Sequence, residues 1–203
     1  MLELETSSLF LMAVQGTQPA AGAEMAAAAT PAQTLEASLV EAVRAGDRDA
    51  FGQLYSLYSP MVHGILLARV PFDEVSDLVQ DVFLAAFKKL GSLRDGAAFG
   101  PWVAMIARNR AMDFYRRTRE TEELSEEVAQ RAGAPEGEAR EVLEVIRRLP
   151  DAYRETLVLR LVEGMTGPEI AERTGLQPDS VRVNLHRGMK MLREKLGVKG
   201  QKQ

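Results

Sequence analysis

The sequence contains no cysteine, which excludes disulfides, thiolate metal sites and direct thiol redox sensing. It has two histidines and one tryptophan. His186 has no second histidine near it, so nothing supports a histidine metal site. Lysine and arginine are absent from residues 1–43. No apolar run is long enough to span a membrane. The short apolar stretch Leu9 to Val14 follows Glu3 and Glu5 rather than basic residues, which makes it a poor signal peptide. Sustained period-two alternation, the mark of a half-buried strand, is missing. These absences predict a cytoplasmic, all-helical protein without membrane insertion, cofactor or metal.

The 203 residues allow one medium domain or two small ones. With 46% hydrophobic and 27% charged residues the composition is that of a globular protein, and the net charge of −4 gives no bulk sign of a nucleic-acid binder. The distribution does. Arg108, Arg110, Arg116, Arg117 and Arg119 face only Asp113 in one stretch. Arg182, Arg187, Lys190, Arg193, Lys195, Lys199 and Lys202 face only Glu194 in another. Between them lies an acidic block that includes Glu120, Glu122, Glu123, Glu126, Glu127, Glu136, Glu138 and Glu141. Local field, not total charge, attracts a phosphate backbone, although charge runs are equally often solvated faces.

Along the chain, residues 1–34 read as a disordered tail rich in Ala, Gly and Pro, in which translation could begin as late as Met25. From Leu35 the pattern is helical. Leu39, Val43, Phe51, Leu54, Tyr55 and Tyr58 recur at helix spacing, broken at Gly46-Asp47, with Asp47 an N-cap for the second piece. Pro60 is expected to end that helix and Met61 to Val70 to form another. Val75, Leu78, Val79, Val82, Phe83, Ala86 and Leu90 make one face of a long helix whose other face carries Asp77, Gln80, Asp81 and Lys88. Gly91 to Gly100 reads as a loop. Trp102, Val103, Ile106, Ala107 and Phe114 define a helix that runs into the arginine cluster, with Trp102 read as core. Residues 120–138 read as a flexible acidic linker. Val142, Val145, Ile146 and Leu149, then, past Pro150, Tyr153, Leu157, Val158 and Leu161, begin a second helical domain.

The sharpest local signal runs from Thr166 to Arg187. Thr166 and Glu169 have capping-box spacing with Pro168 in the first turn. Ile170 and Ala171 face inward. Gly175 stands where a tight turn needs positive φ, and Pro178 suits the first position of the next helix. Val181, Leu185 and Leu192 form that helix's buried stripe. By elimination, Ser180, Arg182, Val183, Asn184, His186, Arg187 and Lys190 point outward. That mixture can read major-groove edges and grip phosphates, as a helix-turn-helix does. The plainer reading is a helical hairpin with a charged surface, but caps, turn glycine and basic face agree on the first.

Three further segments carry a family resemblance: Asp47 to Tyr55, Asp77 to Phe87 and Phe99 to Arg117. In order and spacing they resemble region two of an extracytoplasmic-function (ECF) sigma factor of the sigma-70 family. Leu149 to Leu196 resembles region four, and together the segments cover about residues 35–196. The resemblance implies a protein that binds core RNA polymerase and promoter DNA and directs transcription initiation without catalysis of its own. It implies that Asp77, Gln80 and Asp81 dock on the clamp helices of the largest polymerase subunit. It implies that the loop Gly91 to Ala98 receives a flipped base of the minus-ten element, beside Arg108, Asn109, Asp113, Arg116 and Arg117 on the adjoining helix. Ser180, Arg182 and Arg187 match positions that contact the minus-thirty-five element. The acidic linker resembles the segment that threads towards the polymerase active centre, and an anti-sigma factor is the expected regulator. Tyr115 fits a base-stacking platform and a plain surface residue equally. The chain departs from the family in Asp179, where glycine is frequent, in Asn184, where a basic residue is common, and in its longer N-terminal tail.

The expected organisation is all-α: a tail over 1–34, a first domain over 35–119, a linker over 120–138, a helix-turn-helix domain over 139–196 and a basic tail over 197–203. The alternatives are a stand-alone helix-turn-helix regulator of an operator and a helical nucleic-acid hydrolase. The regulator needs a sensor or receiver domain. The hydrolase needs converging carboxylates, for which Asp73, Glu74, Asp77 and Asp81 are the only dense set in the first domain.

Overall fold

The computed structural model describes residues 31–122 and 138–197. Eight α-helices are present among them and no strand. The first domain comprises α1 (Pro31–Arg44), α2 (Arg48–Leu67), α3 (Phe72–Lys89), two single 3₁₀ turns (Leu90–Ser92 and Gly96–Ala98) and α4 (Phe99–Glu122). The second comprises α5 (Glu138–Arg147), α6 (Asp151–Leu161), α7 (Gly167–Thr174) and α8 (Pro178–Lys195). Most of the expected N-terminal tail, acidic linker and basic C-terminal tail lies outside the described residues. Where those segments are described they extend the helices: α1 begins at Pro31, a favoured first residue, and α4 continues through Glu122.

α2 is the axis of the first domain. Its N-cap is Asp47, whose side chain accepts hydrogen bonds from the backbone N–H of Asp49 at 2.9 Å and Ala50 at 3.2 Å. The helix does not stop at Pro60, contrary to the sequence expectation. A proline inside a helix costs about 3 kcal/mol. Pro60 lies on the exposed side, while Tyr58, Met61 and Val62 beside it are buried. Each such burial contributes about 1.5–3 kcal/mol, so continuing the helix wins. α3 and α4 pack on α2 through Val75, Val79, Val82, Phe83, Val103, Ala104 and Ala107.

The expected loop from Gly91 to Gly100 is largely two 3₁₀ turns, and Phe99 and Gly100 belong to α4. Asp95 caps the second turn by accepting from Ala97 N at 3.0 Å, and Arg44 of α1 donates to the Leu93 carbonyl. In the second domain, Leu143, Ile146, Leu149, Leu157, Val158, Ile170, Val181 and Leu192 form the core.

The two domains pack against each other, α2 on α6 and α4 on α7. Two glycines permit this closeness. A Cβ on Gly64 would stand 2.8 Å from side-chain carbons of Leu159 and Glu163, and one on Gly100 would stand 2.8 Å from the Arg173 carbonyl oxygen. Arginines of the second domain satisfy carbonyls of α2 and of the turn that follows it. Arg147 donates to Leu67 O at 3.1 Å and Val70 O at 2.8 Å, and Arg173 donates to Leu57 O at 3.0 Å. The Leu67 and Val70 bonds serve the end of α2, where carbonyls lack helical partners.

Candidate nucleic-acid interface

The helix-turn-helix is α7, its turn and α8. Thr166 and Glu169 close the capping box: Glu169 Oε2 accepts from Thr166 N at 2.7 Å, and Glu169 N donates to Thr166 Oγ1 at 3.4 Å. The backbone and hydroxyl hydrogen bonds from Thr166 hold the Glu169 carboxyl below the usual carboxylate range. Gly175 ends α7 at φ +73°, a left-handed conformation that a side chain disfavours. Pro178 opens α8. Ile170, Ala171, Val181 and Leu192 are buried, which fixes the outward face. Ser180, Arg182, Val183, His186, Arg187 and Lys190 are exposed on it, and Asn184 is half-buried. Among the described residues, α8 packs chiefly on α5, α6 and α7 of its own domain. Asp179 Oδ1 lies 3.2 Å from Arg182 Nη2, which joins the acid to the arginine one turn on.

The residues matched to the minus-ten element lie along α4. Asn109, Arg116 and Arg117 are exposed and Asp113 half-buried, its carboxylate 3.1 Å from Arg116 Nη2. Arg108 is different. It turns into the seam between the domains and makes a two-point contact with Glu155 of α6, Nη2 to Oε1 at 2.7 Å and Nε to Oε2 at 3.1 Å. Arg69, just past the end of α2, reaches the same carboxylate at 2.6 Å. Burial opposes ionisation of Glu155. The hydrogen bonds and charges of Arg108 and Arg69 outweigh it and hold the carboxyl below its usual range. Tyr115 donates to the Arg69 carbonyl at 2.7 Å, with its ring half open to solvent. Trp102 is half-buried against the core.

On α3, Asp77 and Gln80 are exposed and Asp81 is half-buried. Sequence reasoning missed their neighbours. Leu84 is 58% and Phe87 48% exposed, and Phe87 meets the Phe51 ring edge-on at 4.9 Å. The signal was available: Leu84 lies three residues after Asp81 and seven after Asp77, on the stripe read as polar. Beside this stripe is an open cleft of about 370 Å³ lined by residues that include Tyr55, His63, Gln80 and Glu163. His63 Nδ1 and Glu163 Oε1 are 2.6 Å apart across its interdomain edge. Among the described residues, Asp73, Glu74, Asp77 and Asp81 do not assemble into a metal-binding group.

A helical protein whose helix-turn-helix exposes the outer face of its second helix, beside an arginine-lined helix in the other domain, has the architecture of a DNA-binding protein. Residues 54–121 match the family described as Sigma-70 region 2, and residues 139–192 match Sigma-70, region 4. RNA polymerase sigma factor CarQ of Myxococcus xanthus is 34% identical over 166 residues, covering 78% of this chain and 95% of that protein. The ECF RNA polymerase sigma-E factor of Haemophilus influenzae is 30% identical over 182 residues, covering 81% of this chain and 96% of that protein. The solved structure of CnrH in complex with the cytosolic domain of CnrY is similar at 26% identity and a TM-score of 0.57, covering 81% of this chain and 99% of that one. This chain belongs to the ECF group of sigma-70-family RNA polymerase sigma factors. The match of the first domain to region 2 removes the stand-alone regulator, which would carry a sensor or receiver there.

Proposed function

We propose that the chain binds core RNA polymerase through α3, reads the minus-thirty-five element as duplex with α8, and captures the opened minus-ten strand along α4. The observation that carries this reading is the uncovered face of α8, set by the capping box, the left-handed Gly175 and the buried Val181 and Leu192. Arg182 and Arg187 suit bidentate contacts to guanine, Asn184 to adenine and Val183 to a thymine methyl, while Ser180, His186 and Lys190 serve bases or backbone. On α4, Arg108, Asn109, Asp113, Arg116 and Arg117 line the single strand. The segment Gly91 to Ala98 receives an extruded base, whose unstacking costs a few kcal/mol that pocket and groove must offset.

The polymerase-facing surface is Asp77, Gln80 and Asp81, extended by the exposed Leu84 and Phe87. Apolar side chains ringed by polar ones are the composition of a docking patch. The factor supplies no catalytic chemistry, and the polymerase provides the active-site metal. The site of action is the cytoplasm, where the polymerase and the nucleoid are. Among the described residues no helix is long and apolar enough to cross a membrane. An anti-sigma factor is the proposed regulator, a reading supported by the protein domain bound to CnrH in its solved structure. The proposed organisation keeps the region 2 unit at 35–119 and the region 4 unit at 139–196.

The test is transcription in vitro with purified core polymerase, with and without the protein, on a library of promoter fragments. Discrete new transcripts that require both components are expected. Specific duplex binding by the protein alone, without such transcripts, overturns the reading.

A further inference from the structure

The seam between the domains is crowded with arginine. Arg69 and Arg108 hold one deeply buried carboxylate, Glu155, whose side chain is 5% exposed, and Arg154 feels the charges of Arg69 and Arg147 beside them. The other acids near them, Glu144 and Asp151, lie at its rim and pair with Arg147 and Arg154 within their own domain. Both Glu155 oxygens are held by guanidinium groups of the first domain, in the fork geometry that suits any planar or tetrahedral oxyanion. Arg69 keeps its place by donating to Ile65 O at 3.2 Å, so its position owes something to its own domain and not to Glu155 alone. Arg108 shares one face of α4 with Met112 and Tyr115 at helix spacing, and Tyr115 is bonded to the backbone of Arg69. The pair therefore borders the strand-binding face proposed above.

We propose that Arg69 and Arg108 together form a phosphodiester-binding site for the minus-ten single strand, and that Glu155 occupies this site as an internal carboxylate in the free, closed chain. The inference rests on the proposed strand-capturing role of α4 and adds to it a residue, Arg69, from outside that helix. A carboxylate and a phosphate compete for the same two guanidinium groups, so strand binding requires that α6 move away from α4. Removal of Glu155 leaves Arg69 and Arg108 without their shared anion. Burial and the nearby Arg69 charge already disfavour the protonated form of Arg154 in the closed chain. Arg154 leaves Arg69 when α6 moves away, so opening relieves that repulsion.

Apparent affinity falls by the fraction of molecules in the open state, so emptying the site strengthens strand binding. The probe is a fluorescent single-stranded DNA of mixed sequence, about 12 nucleotides long, because phosphate contacts carry no sequence information. Binding to the full-length protein is measured by anisotropy over a salt series. Glu155→Gln is expected to bind about tenfold tighter than wild type, from a closed state about tenfold favoured. Arg69→Ala in that background is expected to abolish the gain and reduce the magnitude of the salt slope by about 0.7, one phosphate contact on a single strand. Gly64→Ala favours the open state without removing a charge, since the added methyl would stand 2.8 Å from side-chain carbons of Leu159 and Glu163 in the second domain. It is expected to show the same Arg69-dependent gain and stands in for Glu155→Gln if that variant does not fold. No gain in either folded variant, or a gain that survives loss of Arg69, overturns the proposal. Transcription by the wild-type protein with core polymerase is read separately: its absence defeats the promoter-recognition reading whatever the oligonucleotide shows.

Discussion

Replacing Arg147 with methionine isolates what holds the domains together. The methionine keeps most of the apolar stem and removes the two hydrogen bonds to Leu67 O and Val70 O, at 3.1 and 2.8 Å. A hydrogen bond from a charged donor contributes about 1.5–3 kcal/mol. That range already includes the water bonds regained on opening; both bonds are part-buried and share one guanidinium, so together they contribute about 2 kcal/mol, below a simple sum. The neighbouring pair with Glu144 lies within one helix and is lost from both states, so it cancels. A loss of about 2 kcal/mol shifts the closed-to-open ratio by about thirtyfold. The absence of native cysteine makes the assay direct, because Arg48→Cys and Glu194→Cys at two exposed positions accept a dye pair without competition. The interdomain distance distribution in single molecules is expected to gain a long-distance population in Arg147→Met, with helix content unchanged. An unaltered distribution in a folded variant refutes the argument that these bonds close the seam.

Two further predictions concern reading and pH. Arg182→Ala should relax discrimination at one base pair of the upstream element by about 1–3 kcal/mol, read by selection from a randomised duplex with the holoenzyme; an unchanged base preference removes the residue from direct readout. Glu36, which accepts from Tyr58, is pushed up to about 7 by burial and by the Glu172 carboxylate, with Arg173 pulling the other way. Its contribution to stability is complete below the ordinary 4.5 and is lost as pH rises through about 7. The Tm of wild type should therefore fall more between about pH 5.5 and pH 8 than that of Glu36→Gln, and parallel curves would contradict the assignment.

What the sequence made legible was governed by near neighbours. The capping box at Thr166 and Glu169, the left-handed Gly175 and the Asp47 cap are each satisfied within a few residues, so local rules suffice. Pro60 misled because the decision between ending and continuing α2 is taken by the burial of Tyr58, Met61 and Val62, which depends on helices far along the chain. The glycine-rich segment after α3 read as loop because the cap at Asp95 and the anchor from Arg44 are side-chain contacts that composition does not reveal. Leu84 and Phe87 were legible in spacing and overlooked in hydropathy. The partner of Arg108 was hidden altogether: 47 residues separate it from Glu155, and only the meeting of the two domains joins them.

The close approach at Gly64 has a thermal consequence. Leu159 is wholly buried, and part of what covers it is α2 of the other domain. Melting either domain strips cover from the other, so the less stable domain melts at a higher temperature in the free chain than alone, held by a coupling of about 1.4 kcal/mol for a closed state tenfold favoured. Separated on the polymerase, each domain stands on its own smaller core, and the enzyme surface takes over the work of keeping Leu159 and its neighbours from water.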